Sequence, residues 1–422
     1  MDTEIVAGIP YLPRTLDRLV VRALASSRAL VIEGPRGCGK TMTALRHCAS
    51  SIFLDTPQAQ QLAQIAPEAL LEGERPRLLD EWQVNPNLWN MVRRAVDFSP
   101  GFGHFILTGS SVPADDITRH TGAGRFTRVR QRTMTWQEKG CSSGAVSLEK
   151  LLAGEGITTD VSTSSLDSVI ASVLRPGFPG MRELAPEPAA FALTSYLQEI
   201  AHADIPRIIT LRQDPQLILR LLTSLARSVA TEVSISTLKK DLDAIFPSSS
   251  RQTVATLLDA LQRLFVVDAV PAWSVRLRSK AQLRLSPKYH LADPALACAA
   301  LSADSFALRH DVETLGFIFK SAVVHDLSVF AETLGGHVRH YRDSYGHEID
   351  AVLEFPGGIW AAIEVKLGGG QIAQGAHSLK KAVEQIAPER GEPAFLAVIT
   401  GTGITGPAGE GVITFPLSAL GQ

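Results

Sequence analysis

The stretch that decides the fold of this 422-residue chain is Ala29-Leu-Val-Ile-Glu-Gly-Pro-Arg-Gly-Cys-Gly-Lys-Thr41. An apolar strand leads into residues 34–41, which have the P-loop spacing of a glycine, four residues and then Gly-Lys-Thr. A strand, a glycine-rich turn and a helix in this order present several backbone N–H groups to one anion, and the helix dipole adds about half a positive charge there. The pattern predicts binding of a nucleoside triphosphate, for which we take ATP. A chance match in a loop is the alternative, so the sequence context must decide.

The P-loop residues divide into backbone donors and two side chains with assigned roles. Lys40 is expected to reach the β- and γ-phosphates, and the Thr41 hydroxyl to take one place around Mg²⁺. Glycines are required where a side chain would keep the backbone away from the phosphates. We predict that the nucleotide is contacted by Gly34, Pro35, Arg36, Gly37, Cys38, Gly39, Lys40 and Thr41.

Two further strand ends support the nucleotide site. The run Arg77-Leu-Leu-Asp80-Glu81 has the order of a Walker B element, in which Asp80 holds Mg²⁺ and Glu81 orients or deprotonates the attacking water. The strand His104–Leu107 ends in Thr-Gly-Ser110-Ser, so Ser110 is expected to sense the γ-phosphate as in AAA-type ATPases. Two acids after two leucines are, taken alone, more often a solvated helix end. Open parallel sheets bind ligands at the carboxyl ends of their strands, where all three ends fall.

Composition limits the remaining possibilities. A chain of 422 residues is expected to form two or three domains. Hydrophobic residues make up 45% and charged residues 20% of it, so these domains can have sizeable cores. The net charge of −2 means that any contact with nucleic acid must come from a local patch. No run of about 20 apolar residues and no basic leader is evident, which predicts no membrane span. Four widely spaced cysteines predict reduced thiols and a cytoplasmic protein.

A helical module with a strand pair is expected in the middle of the chain. Candidate helices cover residues 215–229, 236–245 and 249–264, and the apolar strand Phe265–Val270 follows them. Basic residues in the next segment suggest a hairpin, at Arg276, Arg278, Lys280 and 284–288. Three helices and a hairpin are the order of a winged helix, which favours DNA contact near Arg251 and through the hairpin. The alternative is a lid or packing module whose basic hairpin is only solvated.

A second set of polar residues lies near the C-terminus. After a predicted helix over Phe306–Phe330, Asp350 stands near the head of one strand, and Glu364 and Lys366 lie on the next. Residues two apart on a strand share a face. Two carboxylates that hold a divalent metal, with a lysine that stabilises the attacking hydroxide, form the core of a PD-(D/E)xK nuclease site. As a bare pattern this is weak, because exposed Glu/Lys pairs on strands are common.

The combination of motifs resembles a known group of proteins over most of the chain. These are bacterial and archaeal fused ATPases that join an N-terminal AAA-type domain to a C-terminal domain of unknown function. The resemblance rests on Ile9-Pro10, Pro13-Arg14, 34–41, 79–81, 107–111, Ala123-Gly124-Arg125, 286–293, 341–343, 348–350 and 363–366. It implies ATP binding and hydrolysis. It also implies that Arg125 acts on the γ-phosphate as an arginine finger or sensor, in cis or from a neighbouring subunit. A structural arginine after a glycine turn is the alternative.

One position departs from that group. Its long helix usually carries a glutamate after Gly-x-x-Phe, whereas Lys320 follows Gly316-Phe-Ile-Phe319 in this chain. A lysine removes one negative ligand and adds a positive charge, which weakens metal binding. Glu313 lies two helical turns away on the same face, about 10 Å distant. A nuclease-like module that binds nucleic acid or packs structurally is therefore expected more than an active nuclease.

The sequence thus predicts an α/β protein with a P-loop NTPase (AAA-type) parallel sheet, then a helical winged-helix module and an α/β restriction-endonuclease-like domain. The boundaries are 1–200, 205–300 and 305–422. The expected function is an Mg-ATP-dependent ATPase switch that acts on DNA or a protein partner, with an ATP-dependent metal nuclease as the alternative. A catalytic Arg125 acting in trans would require a homo-oligomer.

Overall fold

The computed structural model describes residues 4–111, 122–161, 164–209, 213–275 and 286–422. Contacts divide the chain into two compact units. Unit 1 comprises Met1–Thr133, Phe178–Gly180 and Arg263–Val266, and unit 2 comprises Met134–Gly177, Met181–Gln262 and Val267–Gln422. These units are fewer than the three predicted modules, whose boundaries stay a prediction.

Unit 1 contains a five-stranded sheet in which every neighbouring pair is parallel. Its strands are β1 (Ala29–Glu33), β2 (Ser50–Phe53), β3 (Arg77–Asp80), β4 (Phe105–Gly109) and β5 (Phe126–Arg130), and the order across the sheet is β2-β3-β4-β1-β5. β1, β3 and β4 are buried along their whole length, as their near-continuous apolar sequences require in a sheet covered on both faces. The predicted α/β parallel sheet is confirmed.

Helices cover both faces of this sheet. They are α1 (Asp17–Ser26), α2 (Lys40–His47), α3 (Pro57–Ile65) and α4 (Leu88–Asp97), and a two-residue strand pair, Ile5–Val6 with Ile9–Pro10, precedes them. α1 packs Val20 and Ala23 against one face, and α4 packs Trp89 and Val92 against the other. The carboxyl ends of β1, β3 and β4 form the edge at which residues 34–41, Asp80 and Ser110 lie.

The first part of unit 2 is mostly helical. Its helices are α5 (Leu148–Leu152), α6 (Leu166–Leu174), α7 (Pro186–Glu199), α8 (Ile205–Ile208), α9 (Pro215–Arg227), α10 (Ile235–Asp243) and α11 (Arg251–Arg263). Strands β6 (Val267–Val270) and β7 (Lys288–Leu291) then pair antiparallel. The three predicted helices and the strand are thus present in the predicted order. The predicted basic residues Arg276, Arg278, Lys280 and Arg284 lie outside the described residues.

The second part of unit 2 is a six-stranded mixed sheet between helices. After α12 (Pro294–Ala300), α13 (Ser305–His310) and α14 (Val312–Thr333) come β8 (His337–Arg342), β9 (Glu348–Glu354), β10 (Trp360–Gly368), α15 (Ile372–Arg390), β11 (Leu396–Thr402), β12 (Gly406–Gly409) and β13 (Val412–Pro416). The order is β8-β9-β10-β11-β13-β12. The β10–β11 and β11–β13 pairs are parallel, and the other pairs are antiparallel. α14 and α15 pack against opposite sides, and Leu420–Gly421 pairs with Val146–Ser147.

The helix predicted over Phe306–Phe330 is divided in two. Asp311 interrupts it, and the Asp311 carboxylate accepts a hydrogen bond from the Thr314 N–H at 2.9 Å, which caps α14. An N-terminal aspartate of this kind satisfies backbone donors that a helix leaves unpaired at its start. The single-helix prediction was wrong because apolar spacing continues across the break.

α14 is the helix that bears on the prediction of no membrane span. Its 22 residues are long and apolar enough, by length and composition alone, to cross a membrane, yet 72% of its most apolar stretch is buried inside the fold. It carries Lys320 and Asp326, and the latter accepts a hydrogen bond from the Trp136 N–H at 2.8 Å. Such burial is what the core helix of a globular unit shows.

Candidate nucleotide-binding site

The loop that connects β1 to α2 has the shape that its glycines predict. A Cβ at Gly34 would lie 2.0 Å from the Gln131 carbonyl oxygen, so no other residue fits there without movement of the backbone. Gly37 and Gly39 have φ values of +73° and +101°, in the left-handed region that favours glycine. Arg36 and Gly37 are exposed at the tip of the loop, whereas Pro35 and Cys38 are buried.

Lys40 is buried and bends back over this loop. Its Nζ donates hydrogen bonds to the carbonyl oxygens of Gly34, at 3.0 Å, and Pro35, at 2.9 Å. Both acceptors are uncharged carbonyl oxygens, and a hydrogen bond with one charged partner contributes about 1.5–3 kcal/mol. A phosphate group offers the ammonium a negatively charged acceptor instead, so Lys40 is available for an anionic ligand.

Asp80 lies at the carboxyl end of β3 and joins two neighbouring elements. Its Oδ1 accepts hydrogen bonds from the Thr41 hydroxyl at 2.9 Å and from the Thr108 hydroxyl, at the end of β4, at 2.6 Å. Burial raises the pKa of Asp80 above its usual value, although these two hydrogen bonds oppose that shift. A desolvated carboxylate beside a hydroxyl fits Mg²⁺, which prefers oxygen ligands and would offset the cost of the buried charge.

Glu81 directly follows Asp80, and its carboxylate lies at the same edge of the sheet. Its φ of 56° is unusual for a residue with a side chain, and its backbone N–H donates to the Thr108 hydroxyl at 3.0 Å. The Ser110 hydroxyl donates to Glu81 Oε2 at 3.1 Å, and Gln83 Nε2 contacts both side chains. The structure thus brings together Lys40, Thr41, Asp80, Glu81 and Ser110.

Three residues that support this edge of the sheet had no role predicted from the sequence. Thr108 bonds Asp80 and Glu81, while Arg14 and Gln131 both donate to the Cys38 carbonyl oxygen, at 2.7 and 3.2 Å. These two side chains therefore fix the phosphate loop from outside. Arg14 stood among the residues of the family resemblance and Thr108 in the quoted strand end, but neither had an assigned role. Gln131 follows β5 without any motif that signals it.

Arg125 is the predicted site residue that the structure places elsewhere. It immediately precedes β5, at the amino edge of the sheet, and pairs with Asp97 at 2.8 Å, with 39% of its side chain exposed. A five-residue parallel strand separates it from the carboxyl edge, a distance of about 16 Å. In this arrangement Arg125 does not contact the phosphate loop of its own chain, so the cis form of the prediction is not supported.

The predicted acidic pair in unit 2 is brought together. β9 and β10 pair Ala351 with Ile363, and the same register places Asp350 opposite Glu364. Asp350 Oδ2 also accepts a hydrogen bond from the Val365 N–H at 2.9 Å. Burial, followed by repulsion from Asp350, raises the pKa of the Glu364 carboxyl above its usual value. Two carboxylates therefore lie side by side in a partly desolvated patch.

Each acid of this pair is already bound to a lysine. Lys320 Nζ lies 2.6 Å from Asp350 Oδ1, and Lys366 Nζ lies 2.7 Å from Glu364 Oε1. Among the described residues, no group of three histidine, cysteine, aspartate or glutamate side chains could hold a metal ion. The residues present therefore do not fit the divalent metal predicted at Asp350 and Glu364.

Comparisons with known proteins agree with the site in unit 1. Three family models match: an AAA domain over residues 26–139, a domain of unknown function (DUF8612) over 167–307 and a domain of unknown function (DUF4143) over 315–420. No curated protein matches the chain. A solved structure of the Walker-type ATPase of Pyrococcus abyssi is similar to 69% of this chain and 96% of its own, with 14% identity and a TM-score of 0.41. The AAA match contains all of β1–β5, so the N-terminal part of the chain is similar to AAA domains, and matches to two domains of unknown function follow it.

Proposed function

We propose that this protein is an ATPase in which binding and hydrolysis of Mg-ATP switch the contact that its C-terminal modules make with DNA or a protein partner. The observation that carries the proposal is the hydrogen-bonded series Thr41–Asp80–Thr108, next to Glu81–Ser110, at one edge of the parallel sheet. A phosphate loop, a metal-binding acid and a water-orienting acid are thereby adjacent.

The residues of this edge divide the work of phosphoryl transfer. Backbone N–H groups of residues 34–41 bind the phosphates. Lys40 releases the carbonyl oxygens of Gly34 and Pro35 and neutralises the charge of the phosphates. Thr41 and Asp80 would hold Mg²⁺, and the ion would neutralise charge that develops on the phosphate oxygens. Glu81 orients and deprotonates the attacking water, while Ser110 holds the Glu81 carboxylate in place.

The switch requires modules that respond to the nucleotide. Helices α9–α11 with β6 and β7 have the element order of a winged helix, and α14, β8–β10, α15 and β11 have that of a restriction-endonuclease-like domain. We assign DNA contact to the start of α11, where Arg251 is exposed. A protein partner at the same surface is the competing interpretation. Arg125 acts, in this proposal, on the nucleotide of a neighbouring subunit.

A metal nuclease is the second candidate function, and the placement of Asp350 opposite Glu364 favours it. The lysines on both acids speak against it. The test incubates plasmid DNA with Mg²⁺ or Mn²⁺, with and without ATP, and compares wild type with Lys366→Ala. Cutting that disappears in the variant supports the nuclease, and absence of cutting under all conditions favours the switch.

The ATPase is tested by measuring nucleotide binding and phosphate release separately. Lys40→Ala is expected to abolish nucleotide binding, whereas Glu81→Gln keeps binding and stops turnover. The matched controls Lys150→Ala and Glu68→Gln change exposed residues of the same types and should behave as wild type. Phosphate release in Glu81→Gln equal to that of wild type would refute the catalytic role and leave a protein that only binds ATP.

A further inference from the structure

Three carboxylates, not two, share the polar patch of unit 2. Glu348 and Asp350 lie two residues apart on β9 and so point to the same side, and Glu364 stands opposite Asp350 on β10. Side chains opposite each other in an antiparallel pair have Cβ atoms about 5 Å apart. Carboxylates at this spacing repel one another strongly unless cations lie between them.

Each of these carboxylates receives an ammonium from a different part of the fold. Lys288 of β7 pairs with Glu348, Lys320 of α14 with Asp350, and Lys366 of β10 with Glu364. Three acids and three lysines leave the patch without net charge. A divalent cation added to it would create a surplus of about two positive charges in a partly desolvated region, which is costly.

Lys320 is the central cation of this patch. Besides its ion pair with Asp350, it interacts electrostatically with Glu364 and Glu348, so all three acids act on one ammonium. Both Asp350 oxygens are engaged, one by Lys320 and the other by the Val365 N–H. A metal could reach the Asp350 carboxylate only after Lys320 had left.

We propose that the Lys320 ammonium, and not a divalent cation, neutralises Glu348, Asp350 and Glu364, which as they stand form no group that could hold a metal ion among the described residues. The patch is then a cation site that the chain fills with its own side chain. Its charges are balanced without metal, and the module makes its contacts without divalent ions and without metal-dependent cleavage. The lysine at position 320 decides this, because a carboxylate there would add a fourth acid and remove the competing charge.

The experiment exchanges that one side chain in the full-length protein and measures Mn²⁺ binding without nucleotide. Wild type and Asp350→Asn should give the same Mn²⁺ titration, since the patch binds none. Lys320→Glu should bind one additional Mn²⁺ per chain, and Lys320→Glu combined with Asp350→Asn should lose it. Lys381→Glu, the same charge change at an exposed residue of α15, should gain no Mn²⁺.

Lys320→Gln covers the case in which Lys320→Glu does not fold, since it removes the positive charge without adding a negative one and keeps a polar side chain one bond shorter than that of lysine. Mn²⁺ at ten times its dissociation constant stabilises a folded site by a factor of about 11 in the folding equilibrium. The melting temperature of Lys320→Gln should therefore rise with Mn²⁺ more than that of wild type. Mn²⁺ binding by wild type that Asp350→Asn abolishes would overturn the proposal. Failure of both Lys320 variants to gain Mn²⁺ would overturn it as well.

Discussion

The nucleotide edge of unit 1 and the acid–lysine patch of unit 2 use the same residue types and treat them differently. Asp80 accepts hydrogen bonds from two hydroxyl groups, and the nearby Lys40 is bonded to neutral carbonyl oxygens. In unit 2, Asp350 and Glu364 each hold an ammonium. A carboxylate near a lysine stays available to a cation only if the lysine has other acceptors, as Lys40 has and Lys320 has not.

The two sites differ in energy because their lysines have different hydrogen-bond acceptors. Lys40 donates to uncharged carbonyl oxygens, whereas Lys320 and Lys366 donate to carboxylates, so only the unit 2 contacts are ion pairs with a charge on both partners. Removing one partner from a buried ion pair leaves an uncompensated charge, which is strongly destabilising. The edge of unit 1 is thus arranged for exchange with a ligand, and the patch of unit 2 is arranged for stability. Each experiment below can disprove this difference between the two sites.

The largest expected effect is that of Asp80→Asn on ATP turnover. Loss of the carboxylate that holds Mg²⁺ beside Thr41 should lower turnover about 100-fold, in line with the loss of one electrostatic contact to a transition state. Stability should not fall, because burial raises the pKa of Asp80 and its charge is unfavourable in the folded state. Phosphate release and thermal melting of the same sample measure both quantities. Turnover within threefold of wild type would show that Asp80 does not hold the metal.

The second effect is loss of stability in acid, which should be larger in unit 2, although burial also lowers the pKa of His104 in unit 1. Burial lowers the pKa of His290 to about 3 and that of His340 to about 4, and Lys288 lies near both. These histidines stay neutral when folded and gain protons when unfolded below about pH 6.5. The stability that these neutral histidines contribute to the folded protein is complete above that pH and is lost as the pH falls toward 4.

At pH 5 the free energy of unfolding should fall by at most about 2 kcal/mol for each histidine, because pH 5 lies about 1.5 units below the pKa of an unfolded histidine. His340→Gln, compared with wild type between pH 7.5 and 5, should show a smaller fall in melting temperature. Hydrogen exchange resolved by peptide would place the acid-sensitive opening in unit 2. An unchanged pH dependence in this variant would mean that His340 is protonated in the folded protein.

The two sites also differ in how much of each could be predicted from the sequence. The parallel sheet and its edge were predictable, because apolar strands, glycine spacing and the acids after β3 are local patterns that fold into one arrangement. Lys320 was noticed as a departure, but its ion pair with Asp350 depends on where α14 packs against β9. No spacing in the sequence contains that information.

Long-range packing likewise accounts for the missed and misplaced residues. Gln131 and Arg14 act on the Cys38 carbonyl from 93 and 24 residues away. Arg125 was assigned from a resemblance, whereas the direction of β5 places it at the far edge of the sheet. Polar residues that support a loop from outside carry no periodicity, so only the folded chain reveals them.

The third effect is on the stability of unit 2, through Asp350→Asn. Lys320 would lose its ion pair and remain half-buried near only two acids, so the free energy of unfolding should fall by about 2 kcal/mol after allowance for its exposure. ATP turnover is not expected to follow this change. Chemical denaturation monitored by tryptophan fluorescence measures it. An exposed control, Asp243→Asn on α10, should cost far less.

The smallest expected effect on binding is that of Arg125→Ala. Its ion pair with Asp97 is exposed, so the melting temperature should stay within about 1 °C of wild type. The dissociation constant for ATP should change less than twofold at dilute protein, because Arg125 lies at the edge of the sheet away from the phosphate loop. Turnover per chain should differ from wild type only at high protein concentration, where a neighbouring chain can supply the guanidinium. A tenfold loss of ATP affinity in dilute solution would instead require Arg125 to reach the phosphates of its own chain, which the direction of β5 in this sheet does not allow.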